Sequence, residues 1–77
     1  MKLRVLWSED AEHVLLKISP SEADRVVDAT VRLAENGTGF VRRMLDGSAD
    51  RRLYLDKWIV TFTVEPGVMF VWRVDPR

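Results

Sequence analysis

The sequence predicts an α+β fold of order β-α-α-β-β-β, with an antiparallel helical hairpin packed on one face of a mainly antiparallel four-stranded sheet. Three observations predict it. The N-terminus alternates with period two, two consecutive stretches then carry helical spacing, and three further alternating stretches fill the second half of the chain. Helices grouped before a run of strands belong to the α+β class rather than to a wound parallel sheet.

Leu3, Val5 and Trp7 alternate with Lys2, Arg4 and Leu6, which reads as an opening strand that Ser8 ends. Ser8 is also an N-cap, because Glu9 and Asp10 follow it in a first turn where the helix dipole favours negative charge. Ala11, Val14, Leu15 and Ile18 then repeat with helical spacing. Ser19-Pro20-Ser21-Glu22 restarts the chain as a capping box, with proline at the first helical position. Ala23, Val26, Val27, Thr30, Val31 and Ala34 continue that second helix, and Asn36-Gly37 supplies a left-handed stop. With only Ile18 and Ser19 between them, the helices turn back on each other, and each offers a stripe too narrow to be stable alone.

The covering surface lies in the second half. Leu53 and Leu55 alternate with Arg52 and Tyr54, and Trp58, Val60, Phe62 and Val64 alternate with Ile59, Thr61 and Thr63. Asp56-Lys57 makes the hairpin between these strands, and Glu65-Pro66-Gly67 turns the chain into a last strand holding Val68, Phe70, Trp72 and Val74. Residues 40–45 read either as extended chain or as a turn of helix, and residues 46–50 as a loop.

A chain of 77 residues holds one core, so residues 1–77 are expected to form a single domain. Hydrophobic residues at 47% and charged residues at 31% are globular proportions and exclude disorder. The lack of cysteine excludes a disulfide framework, a thiol nucleophile and a cysteine-ligated metal. Glu9 and Asp10 interrupt the N-terminus before a long apolar run develops, which argues against a signal peptide or membrane span and for a cytoplasmic protein.

The formal net charge of zero weakens a general attraction to nucleic acid. The halves differ, since residues 1–41 carry five basic against seven acidic residues and residues 42–77 carry seven against five. Six of those seven later cations are arginine, which suits planar recognition of carboxylates or phosphates.

The opening strand, two-helix hairpin and basic loop precede a meander with Arg52-Leu53, Val64-Glu65-Pro66-Gly67 and Val71-Trp72-Arg73-Val74. In this order the chain resembles the RelE/ParE superfamily of toxins from bacterial type II toxin–antitoxin systems. The resemblance implies growth inhibition, neutralised by a cognate antitoxin protein whose tail wraps the sheet and helices. RelE-like members are mRNA interferases that cut messages on the ribosome without a metal, and ParE-like members inhibit DNA gyrase. Metal-free cleavage needs a proton acceptor, a proton donor and cations around the crowded phosphate. Carried over by position, Arg52, Arg73 and Arg77 are the candidate catalytic residues. Arg42, Arg43, Arg51, Tyr54 and Lys57 are candidates for RNA contact, through phosphate pairing and base stacking. An arginine usual in the family falls at Ile59, a histidine at Pro76, and no terminal tyrosine follows. These departures leave no evident general acid or base, so the active site is expected to be degenerate.

His13, the only histidine, sits with Glu9 and Glu12 on a helix face, where two ligands do not make a metal site, and no cofactor is expected. The arginines are equally explained as solvating an open sheet face and pairing with Asp46, Asp50 and Asp56. Trp7, Trp58 and Trp72 read chiefly as core, the alternative being that one or two anchor a partner's peptide in a groove. On simple alternation, the face opposite Trp58, Phe62, Phe70 and Trp72 carries Ile59, Met69 and Val71, an apolar surface that asks for cover by an antitoxin or by a second copy in a homodimer. The reading placed first is therefore a toxin-like component with interferase chemistry. The alternatives are a gyrase inhibitor and a non-toxic protein-interaction domain of the same fold.

Overall fold

The computed structural model describes residues 2–77. Strand β1 (Arg4–Trp7) leads into helices α1 (Glu9–Lys17) and α2 (Pro20–Asn36), followed by strands β2 (Val41–Arg43), β3 (Arg51–Tyr54), β4 (Trp58–Glu65) and β5 (Val68–Pro76). The strands form one five-stranded sheet in the order β1-β5-β4-β3-β2. β1 runs parallel to β5, and the other pairings are antiparallel.

This corrects the expected four-stranded sheet to a mixed five-stranded one of order β-α-α-β-β-β-β. The additional strand is the segment that read ambiguously. Val41 pairs with Leu53, and the flanking arginines add no apolar periodicity to reveal a three-residue strand. The parallel pair follows from the helical hairpin, which carries the chain away from β1 and lets β5 return beside it in the same direction.

Helix α1 starts at Ser8, whose Oγ accepts from the Ala11 N–H at 3.1 Å and donates to the Trp72 carbonyl at 2.6 Å. The cap therefore ties α1 to β5 as well as ending β1. Helix α2 starts at Ser19 with Pro20 in its first turn, and stops at Gly37, whose φ of 73° is open to glycine at little cost. Ser19 Oγ accepts from the Glu22 N–H at 3.3 Å. The reciprocal half of the capping box is replaced, because the Glu22 carboxylate accepts instead from the Trp58 indole N–H at 2.9 Å.

The core lies between the sheet and the helices. Val26 and Ala34 of α2 and Ala11 of α1 meet Leu53, Val60, Phe62, Met69, Val71 and Val74, all buried. Burying one of the larger of these side chains stabilises the fold by about 1.5–3 kcal/mol. Buried Thr30 satisfies its hydroxyl by donating to the Val26 carbonyl at 2.8 Å.

A bulge between β4 and β5 decides which residues face this core. Thr61 pairs with Arg73 and Phe62 with Val71, so Trp72 is the extra residue. Met69 and Val71, expected on an exposed partner-binding face, are both 0% exposed and face the helices. The register places them beside Val64 and Phe62 of β4 and beside Val5 and Trp7 of β1. Trp72, expected in the core, is 45% exposed on the open face.

Candidate functional site

The open sheet face carries a row of charge built by register. Arg42, Arg52, Thr61 and Arg73 are successive cross-strand partners on β2, β3, β4 and β5. Directly paired residues share a face, so three arginines line up across the sheet. Arg73 contacts Asp75 at 3.2 Å. The Nε of Arg52 is buried and has no hydrogen-bond partner.

Aromatic side chains border this row. Phe40 and Tyr54 lie 5.8 Å apart between ring centroids. Arg42 sits 5.2 Å over the Phe40 ring, and Arg77 sits 5.3 Å over the Tyr54 ring. Arg77 is held further by donating to the Leu55 carbonyl at 3.1 Å. The four side chains form a cation–aromatic–aromatic–cation series beside a cleft of about 660 Å³ between the β2–β3 loop and Tyr54. Its carboxylate, Asp46, accepts from the Ser48 N–H at 2.9 Å, and this bond holds its pKa below the usual aspartate value.

On the same face, Phe70 and Trp72 stack at 4.3 Å, and the Trp72 indole donates to Thr63 Oγ1 at 2.9 Å. Ile59 opposes Tyr54 there, with Asp75 on its other side. Of the three expected partner-surface residues, Ile59 alone faces out with the arginines.

Arg43 and Arg51 oppose each other one position along from Arg42 and Arg52, and therefore point to the helix-bearing face. Lys57 lies away from the arginine row at the β3–β4 turn, where it pairs with Glu22 at 3.5 Å. Thus the structure brings Arg42, Arg52, Tyr54, Arg73 and Arg77 to one face and separates Arg51 and Lys57 from it, while Arg43, on the other side of the strand, still borders the same cleft. Phe40 was missed in sequence because it sits in an ambiguous segment, and Phe70 and Trp72 were expected on the helix-facing side because the bulge that turns them to the open face leaves no local signal.

Chemically, the row is suited to holding anions. Guanidinium groups stay protonated and donate in a fixed planar fork, which makes them binders rather than proton shuttles. Tyr54 and Asp46 are the titratable side chains lining the cleft. His13 lies on α1, on the other side of the sheet.

No family model matches the chain, and no curated protein matches its sequence. Solved structures do share its architecture. A chain of the toxin–antitoxin complex RelBE2 from Mycobacterium tuberculosis matches with a TM-score of 0.81 at 17% identity, over 99% of this chain and 92% of that one. A chain of the RelB–RelE antitoxin–toxin complex from Methanococcus jannaschii matches with a TM-score of 0.75 at 12% identity, over 94% and 89%.

These likenesses correct the expected identity. Both structures are complexes containing the RelB antitoxin, and at such low identity the likeness is one of fold, so it does not make this chain a RelE/ParE toxin. The mRNA interferase and gyrase-inhibitor readings fall with that assignment.

Proposed function

We propose that this chain is one component of a toxin–antitoxin pair and acts by binding the protein that forms the other component. The observation that carries the reading is the TM-score of 0.81 over 99% of the chain to a component of a toxin–antitoxin complex. The open face supports it independently, since Phe70, Trp72, Tyr54 and arginine are the residue types that dominate protein interfaces. In this reading residues 1–77 work as one domain in the cytoplasm. Arg52, Arg73 and Arg77 hold carboxylates of the partner rather than reacting atoms.

The test is co-expression with the product of the adjacent reading frame, followed by size-exclusion chromatography. A stable stoichiometric complex is expected, with transcripts left intact when this chain is expressed alone. Separate elution of the two proteins at micromolar concentration would remove the reading.

A further inference from the structure

Four arginines meet in two pairs where β2 joins β3: Arg42 stands opposite Arg52, and Arg43 opposite Arg51. Alternation sends the first pair to the open face and the second to the helix-bearing face. Like charges directly opposite in an antiparallel ladder destabilise it. Among the described residues the ion pairs engage Arg32, Lys57 and Arg73, and none of these four arginines. Two loop carboxylates offset part of this charge, Asp46 near Arg52 and Asp50 beside Arg43 and Arg51, and four guanidinium groups against two carboxylates still leave an excess of cations. The strand pairing therefore concentrates positive charge on both faces at one end of the sheet.

That end is also an edge, because β2 is the last strand in the order. The Tyr54 N–H donates to the Phe40 carbonyl at 2.9 Å, and the Met44 N–H to the Asp50 carbonyl at 3.3 Å. Phe40, Arg42 and Met44 thus turn their backbone groups toward β3, and Val41 and Arg43 turn theirs outward. The opposite edge is different, since the Leu3 N–H ahead of β1 donates to the Ala34 carbonyl at the end of α2.

The geometry points to β2 as the docking edge for an extended acidic segment of the partner protein, which adds to the sheet as a further strand. The N–H and C=O groups of Val41 and Arg43 complete its ladder. Its side chains alternate between faces, so successive carboxylates meet Arg42 and Arg52 on one side and Arg43 and Arg51 on the other. Charge on an edge strand also deters aggregation, but arginine on β2 alone would serve that end. The second arginine of each pair, on β3, adds repulsion that an incoming anion neutralises. A nucleic-acid strand fits less well. It cannot complete a β-ladder, and all seven carboxylates of residues 1–41 lie on the two helices packed against the same sheet.

This inference rests on the reading that the chain binds a protein, and its test does not depend on finding that protein. Three probes are used with the full chain: a synthetic peptide alternating glutamate and valine, its glutamine-for-glutamate analogue, and a single-stranded oligouridylate. Amide hydrogen exchange is read at Val41 and Arg43. The acidic peptide is expected to slow both amides about tenfold or more, and the glutamine analogue and the oligouridylate to leave them unchanged. Arg42→Gln with Arg52→Gln is expected to weaken peptide binding about tenfold or more. Arg43→Pro should abolish it without unfolding the sheet, because proline is tolerated where the N–H points off an edge. No protection of the two amides by the acidic peptide, or equal protection by either control, would overturn the site. A stable complex with the neighbouring gene product in which both amides stay unprotected would overturn the site and leave the partner-binding reading standing. Protection by the acidic peptide without such a complex would support the site and remove that reading.

Discussion

The indole N–H of Trp58 donates to the carboxylate of Glu22 at 2.9 Å, joining the first residue of β4 to the first turn of α2. Lys57, one residue earlier, approaches the other carboxylate oxygen at 3.5 Å. One side chain thereby holds the start of the long helix against the β3–β4 hairpin. The bond from Trp58, with support from Lys57, holds the Glu22 pKa below its ordinary value of 4.5. A depressed carboxylate pKa stabilises the fold above the unfolded value, and that contribution disappears as pH falls through the folded value. Glu22→Gln should therefore be less stable than the wild type near neutral pH, and the gap should close in acid below 4.5. Urea unfolding of both proteins across that range checks the sign. A gap that widens in acid would contradict the bond as the source of the shift.

The bulge at Trp72 makes a second prediction about neighbours in sequence. Met69 and Val71 are fully buried, and Trp72 is 45% exposed. Met69→Ala should cost about 2–5 kcal/mol through lost burial and the cavity it leaves. Trp72→Ala removes the Phe70 stack and the Thr63 hydrogen bond, and should cost about 1 kcal/mol. The larger residue is therefore expected to matter less to the fold and more to partner binding. Denaturant midpoints together with partner titration separate the two effects.

Gly39 has a φ of 149°, and a Cβ built there would lie 2.8 Å from Leu53 Cδ1 in the core. Gly39→Ala combines backbone strain with displacement of a buried leucine and should cost about 1–3 kcal/mol. Gly37 also has positive φ, but nothing lies within 4 Å of its added Cβ. Gly37→Ala should cost about 1 kcal/mol from the backbone alone. Thermal unfolding of the pair distinguishes a crowded glycine from a merely left-handed one.

The helices were legible because their signals are local. Ser8, Ser19-Pro20 and Gly37 act within one turn of where they stand, and the structure has each at its cap. The open-face position of Arg52, beside Tyr54 on the neighbouring alternate position, also follows from alternation along β3. What was not legible depends on pairing between distant segments. β2 is too short to show a period, and its register against β3 is set across the intervening loop. The bulge was hidden because Trp72, the inserted residue, is itself apolar and extends the apparent alternation of Val68 and Phe70 toward Val74. That one insertion moved Met69 and Val71 from an expected binding face into the core. Fold assignment likewise did not carry identity, since the same architecture in RelB–RelE complexes leaves the chemistry to the particular residues on the sheet.

The arginine pairs make the last prediction, one in which stability and binding part. Arg43 and Arg51 occupy a non-hydrogen-bonded pair, the closer of the two antiparallel geometries, so their repulsion acts at short range. Arg51→Glu converts this into an attractive pair, and should stabilise the fold by about 0.2–1 kcal/mol. Added salt screens the repulsion between the exposed Arg43 and the half-buried Arg51, so the wild type should gain stability with ionic strength more than the variant does. Urea unfolding at low and high salt measures both effects. The same substitution places a carboxylate where a partner's carboxylate would dock, so the stabilised variant should bind the acidic peptide less tightly. Greater stability together with undiminished binding would show that the pair neither strains the sheet edge for a partner nor contacts one.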